Sequence, residues 1–246
     1  MVIVIDPQIA GISGDMLLSS LVNLGADKNK IVEGIMKSQK FLQGSTIKKI
    51  DFQKIQKCGV ESTELILEID ENISERKGIE IKKAILDSIN ELSLTTKAKI
   101  FAESCINTLI SAESKIHGIS ENSVHFHEAS SIDTLVDIVG ITIALDDLKL
   151  FEEKIVCLPV SVGGGTVSFS HGTMSNPANA ILQIFKNSNL NIQGNNSKEE
   201  LTTPTGACIL VNLTNNPVQH YPSMNVSSIG YGAGQKDFEG FSNVLK

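Results

Sequence analysis

The residues of this sequence best equipped for chemistry are two histidines separated by one residue and an adjoining carboxylate, in Val124-His125-Phe126-His127-Glu128. Alternate residues of a strand point to one face, so His125 and His127 could hold one cation between their imidazoles. The ordinary alternative is a pair of surface or hydrogen-bonded histidines. Just downstream, Asp133 and Asp137 lie four residues apart in an apolar run and share a helix face with Gly140 and Ala144. Asp133 has a structural explanation as the third residue of a helix capped by Ser130. Asp137 has none, because a mid-helix charge among apolar neighbours is costly unless a cation or hydrogen-bond donors meet it. The stripe is therefore expected to face something polar.

Three further places carry polar groups at the ends of elements. Asp6 and Asp15 bracket a glycine-containing loop with Gly11-Ile12-Ser13-Gly14-Asp15, one carboxylate at a strand end and one at a helix start. The spacing is neither a dinucleotide fingerprint nor a phosphate loop, and Asp15 would repel phosphate unless a divalent ion sat between them. As a favourable first-turn acid it needs no ligand. His171 follows a serine-rich stretch and is expected on a rim loop. Thr202-Thr203-Pro204-Thr205-Gly206 offers hydroxyls and amides at a helix start, where an ordinary N-cap is the simpler reading.

The elements that must position these groups follow from periodicity. Residues 2–5 read as a strand and 16–24 as an apolar helix stopped by Gly25, with a second short helix after it. Residues 46–55 and 63–69 alternate in part and flank Cys58-Gly59, which predicts an antiparallel hairpin. Residues 80–92 and 96–117 carry apolar positions at helical spacing, and 132–148 is apolar on nearly every side, as in a buried helix. A short strand over 124–127 precedes it. Residues 155–162 and 166–170, joined by Gly163 to Gly165, read as a second hairpin. A helix over 178–185, a polar linker over 187–198, a helix over 204–213 capped by Thr203 and a glycine-rich tail complete the chain. The expected class is α+β: a mixed sheet with β-hairpins packed by several helices, one of them buried and apolar, in one domain over 1–246.

Composition narrows the function. With 41% hydrophobic residues, a chain of 246 can bury a sizeable core. The net charge is −7, and of the 21 basic Lys and Arg residues only Arg76 is an arginine, which argues against a nucleic-acid partner. No apolar run approaches the roughly 18 residues of a membrane span, and Asp6 interrupts the opening apolar residues, so a cytoplasmic protein is expected. Cys58, Cys105, Cys157 and Cys208 form no Cys-x-x-Cys pair and read as buried free thiols.

Taken together and in order, GISGDM, HFHE with Asp133 and Asp137, a glycine turn before His171-Gly172, TPTGA, and GYGAG with Asn243-Val244-Leu245 resemble the nickel-insertion proteins of the LarC type. The likeness spans essentially the whole chain. It departs at Pro7-Gln8-Ile9-Ala10 and at residues 173–178. It implies an enzyme of the lyase class that inserts nickel into pyridinium-3,5-bisthiocarboxylic acid mononucleotide in a CTP-dependent cyclometallation. The product would be the nickel-pincer cofactor of lactate racemase and related enzymes. It further implies nickel handling by His125, His127, Asp133 and Asp137, with His125, His127, Glu128 and Asp137 in catalytic roles. Asp6, Asp15, His171, Thr203, Thr205 and Gly206 would bind the substrate nucleotide and its cation, and Mg or Mn would accompany CTP. The family's C-terminal domain is expected to be absent here, so that a separate C-terminal chain would be a partner beside a homo-oligomer. Rival readings are a metallochaperone half that binds nickel or substrate without turnover, a metal-dependent nucleotide phosphohydrolase, and a structural domain of a larger assembly.

Overall fold

A computed structural model describes residues 1–73, 75–126, 131–169 and 172–246. The chain opens with β1 (Val2–Ile5), α1 (Gly14–Leu24) and α2 (Lys28–Ser38). Gly25 ends α1 as expected, at φ 124°, its N–H returning to the carbonyls of Leu21 and Val22. Then β2 (Ser45–Lys57) and β3 (Val60–Glu71) form the hairpin anticipated around Cys58-Gly59, both of which take positive φ as a tight two-residue turn demands. Cys58 is consequently exposed at the turn, a correction to its reading as a buried thiol. Cys105, Cys157 and Cys208 are buried. Burial pushes all three thiols up, Cys157 to about 12, which leaves them protonated.

Next come β4 (Arg76–Lys77), α3 (Gly78–Glu91), α4 (Thr96–His117), β5 (His125–Phe126) and α5 (Ser131–Asp147). β4 and β5 pair antiparallel, which sets His125 opposite Lys77. The lone arginine is a structural pin, donating from Nη2 to the Gln43 carbonyl at 2.7 Å and to Ser45 Oγ at 3.1 Å. α5 is the buried apolar helix: Ile132, Leu135, Val136, Ile138, Val139 and Ile141 are all inaccessible, packed among α1, α2, α3 and α4.

The remaining strands are β6 (Lys154–Cys157), β7 (Val160–Ser161), β8 (Thr166–Phe169) and β9 (Gly172–Ser175), followed by α6 (Asn179–Phe185), β10 (Ile192–Gln193), α7 (Pro204–Leu213), β11 (Gly232–Ala233) and β12 (Val244–Leu245). Here the expected second hairpin gives way to a different arrangement. β6 pairs parallel with β1, β7 pairs parallel with β10, and the antiparallel partner of β8 is β9. The reason lies in the run 155–162. Ile155, Val156, Cys157, Leu158, Val160 and Val162 are all buried, and a strand covered on both faces suits a parallel pairing better than a half-exposed hairpin. Gly163 does not turn a hairpin. A Cβ there would stand 2.1 Å from the Glu199 carbonyl oxygen, so this glycine permits close approach of residues 163–165 to the strap 197–199.

The long hairpin joins a four-stranded sheet in the order β12-β11-β3-β2, with β11 parallel to β3. Among the described residues the class is α+β, with both parallel and antiparallel pairs and seven α-helices. No helix among them is long and apolar enough to cross a membrane.

Candidate functional site

A cavity of about 1080 Å³ opens where the first turns of α1 and α7 meet the N-terminal half of α5, the C-terminal end of α4 and the segment 234–238. Backbone and side-chain bonds lock the two helix starts together. Thr203 N–H donates to the Ile12 carbonyl at 3.0 Å, and Ile12 N–H donates to Thr202 Oγ1 at 3.3 Å. The Thr202 hydroxyl in turn donates to the Ser161 carbonyl at 2.6 Å, fastening this corner to β7. Thr203 is the N-cap its sequence suggests, accepting from Gly206 N–H at 3.1 Å, with Pro204 following it.

Asp15, Asp133 and Asp137 all line this cavity, and their environments differ. Asp15 turns back on its own helix start: it accepts from the Ser13 hydroxyl and from Met16 N–H at 2.9 Å, and the Gln235 backbone also donates to it. Burial nevertheless pushes its carboxyl up, against the pull of those donors. Asp133 keeps solvent access, but its enclosed setting, with Asp15 and Glu71 nearby, raises it to about 6. Asp137 is 5% exposed. Its Oδ1 has no hydrogen-bond partner, and Oδ2 lies so close to α1 that a Cβ on Gly14 would stand 2.0 Å from it. Gly14 is thus the residue that lets the carboxyl sit against the helix. Burial pushes Asp137 well above the usual carboxylate range, and Asp133 and Asp15 push the same way. Among the described residues, the charges that raise the two are those of other carboxylates: Asp15 and Glu71 act on Asp133, and Asp133 and Asp15 act on Asp137.

The stripe read along α5 therefore divides. Asp133 and Asp137 face the cavity, whereas a Cβ on Gly140 would meet Leu18 and Ile35, so the small residues serve helix packing and do not face anything polar. Of the other sequence candidates, Thr203 and Thr205 line the cavity and Gly206 lies beside them in the first turn of α7. Asp6 does not line it. Its carboxylate accepts from the Tyr221 hydroxyl at 2.6 Å and from Gln8 N–H at 3.3 Å, and pairs with Lys246 Nζ at 3.0 Å. His125 is half-buried on β5 outside the lining, while its neighbour Phe126 belongs to it. His127, Glu128, the cap candidate Ser130 and His171 lie outside the described residues. Among the described residues no group of three or more His, Cys, Asp or Glu stands in a metal-holding arrangement.

Several lining residues escaped the sequence reading: Glu113 and His117, which pair at 3.4 Å on the last turn of α4, Lys236, Phe238 and Glu200. The i,i+4 spacing of Glu113 and His117 was a usable signal. Nothing local marked Lys236 or Phe238, which reach the cavity only because β11 lies against α1 and β3.

A family model described as nickel insertion protein matches residues 3–246. A pyridinium-3,5-bisthiocarboxylic acid mononucleotide nickel insertion protein of Staphylococcus saprophyticus is 37% identical over 237 residues, 96% of this chain and 57% of the relative. Its namesake in Staphylococcus epidermidis is 37% identical over 237 residues, covering 96% and 56%. A protein of Methanothermobacter thermautotrophicus, provisionally named for nickel insertion, is 33% identical over 246 residues, 100% of this chain and 58% of its own length. The chain thus spans somewhat more than half the length of the curated relatives it matches. No solved structure matches it.

Proposed function

The chain belongs to the nickel insertion protein family, and from that premise we propose that its cavity receives nickel and a pyridinium-3,5-bisthiocarboxylic acid mononucleotide and serves the insertion of the metal into that ligand. Nickel here is the cargo. The observation that carries the reading is Asp137: a carboxyl 5% exposed, with an unpartnered oxygen, on the wall of a cavity large enough for a mononucleotide. Such an oxygen needs a partner from outside the chain, and a bound metal would supply one. Asp133 and Asp137 would meet the metal, and the bisthiocarboxylate brings its own sulfur donors, which suit nickel. Replacing a ring C–H by a metal–carbon bond also requires a proton acceptor, and a carboxyl raised toward neutral pH is suited to that task. His125, with His127 and Glu128 next to it in sequence, would handle nickel on its way to the cavity. Thr203, Thr205 and Gly206 would contact the nucleotide, and CTP with Mg or Mn would drive the complete reaction in the cytoplasm.

The test is calorimetric titration of the purified chain with nickel, alone and then with the mononucleotide and CTP, while absorbance follows product. Nickel binding that weakens at least tenfold in Asp137→Asn supports the reading, and turnover makes the chain an insertion enzyme by itself. Binding without turnover assigns it the role of a nickel- and substrate-binding half. Nickel affinity unchanged in both Asp133→Asn and Asp137→Asn would sink the assignment.

A further inference from the structure

We propose that nickel must enter the cavity before the mononucleotide, because the acidic wall repels that ligand until a cation reverses the wall's sign. The inference rests on the reading above and adds an order of binding to it. Among the described lining residues, Asp15, Glu113, Asp133, Asp137 and Glu200 face only Lys236 and His117 as cationic or ionisable bases. His117 is itself engaged by Glu113. Internal donors occupy Asp15, whereas Asp137 Oδ1 has none, so the strongest unmet demand for positive charge lies where Asp137 meets the cavity.

The ligand named for the staphylococcal relatives carries two thiocarboxylates and a phosphate against one pyridinium cation, and is therefore a net anion. Brought alone into a partly enclosed site lined by carboxylates, it meets like charge at short range with little water to screen it. A divalent nickel ion held by the wall changes both terms. It satisfies the unpartnered carboxylate oxygen, and it presents a positive centre that the sulfur donors can ligate. The metal and the mononucleotide then bind with positive coupling, and by linkage each raises the affinity of the other by the same factor.

The probe is the dicarboxylate mononucleotide, the oxygen analogue of the substrate, titrated calorimetrically at pH 8 into the chain freed of metal by chelator and into the nickel-loaded chain. The expected result is at least a tenfold gain in affinity with nickel. In Asp133→Asn, on an exposed position that folding should tolerate, metal-free affinity should rise severalfold and the gain on adding nickel should shrink. The Asp133→Asn, Asp137→Asn double variant should extend the trend. Equal affinity with and without nickel, or metal-free affinity that falls in Asp133→Asn, overturns the order. A nickel titration of the unmodified chain, run beside these, separates the two failures. Nickel that binds without affecting the mononucleotide defeats the order alone, and nickel that does not bind defeats the order and the function beneath it.

Discussion

Asp6 and Asp137 are buried almost equally, at 7% and 5% exposure. Around Asp6 the fold supplies a tyrosine hydroxyl, a lysine ammonium and a backbone N–H. Around Asp137 it supplies close packing against Gly14 and an oxygen without a donor. Burial alone would rank the two carboxylates together. The inventory of donors separates a group whose interactions are complete inside the chain from one whose hydrogen-bonding capacity the chain leaves unmet.

The comparison breaks or sharpens under substitution. Removing the Asp6 carboxylate takes a partner from the Tyr221 hydroxyl and from Lys246, both of which still reach water, so Asp6→Ala should cost about 1–2 kcal/mol in urea denaturation. Asp137→Asn should cost nothing and gain up to about 1 kcal/mol at pH 8, since an unmet buried carboxyl is replaced by a neutral group of the same shape. If both substitutions destabilised equally, donor accounting would have misjudged Asp137.

Gly14→Ala should cost about 2 kcal/mol through overpacking against the Asp137 carboxyl. Asp137→Ala should relieve only the part of that cost due to the carboxyl, since the Asp137 Cβ would itself stand 2.6 Å from the new methyl, and a double-mutant cycle would show that partial coupling directly. Additive effects would mean that the close approach at Gly14 is relieved elsewhere.

Stability should also depend on pH in a direction particular to the cavity. Asp133 and Asp137 are both raised in the folded state above the ordinary 3.8, Asp133 to about 6, so between these values the native chain holds more protons than the unfolded one. Their contribution is fully present below the unfolded value and is lost as pH rises through the folded one. Asp133→Asn should therefore gain on the unmodified chain as pH goes from 4 to 7, measured by urea midpoints at each pH, and a constant difference would contradict the raised carboxyl. The smallest expected effect is on the other side of the comparison. Tyr221→Phe, which removes one donor to Asp6 at a half-exposed ring, should lower stability by about 1 kcal/mol.

Much of the fold was legible because its signals are local. The 3.6-residue periodicity of 80–92 and 96–117, the Cys58-Gly59 turn, the Gly25 stop and the Thr203 cap all depend on neighbours within a few residues. The second hairpin was misread because the partners of β6 and β7 lie far along the chain, at β1 and β10, and an apolar run carries no record of its partner. Asp137 could be singled out because a charge in the middle of an apolar helix is conspicuous in any context. What meets it could not, since the contact with Gly14 arises only from packing. Asp6 illustrates the converse: its position at a strand end suggested a ligand, and its partners Tyr221 and Lys246 lie more than two hundred residues away.

The walls of the cavity come from nearly the whole length of the sequence, from Ser13 to Asn243. A nascent or partly folded chain has Asp133 and Asp137 but no enclosure around them, so it has no means of selecting a ligand. If the cavity takes its ligand only in the folded form, occupancy would report completed folding and would in turn hold the chain folded. At a ligand concentration a hundred times its dissociation constant, the bound state would gain about 2.7 kcal/mol. Segments that lie apart in sequence, including the glycine-rich tail, would resist opening together when the site is filled.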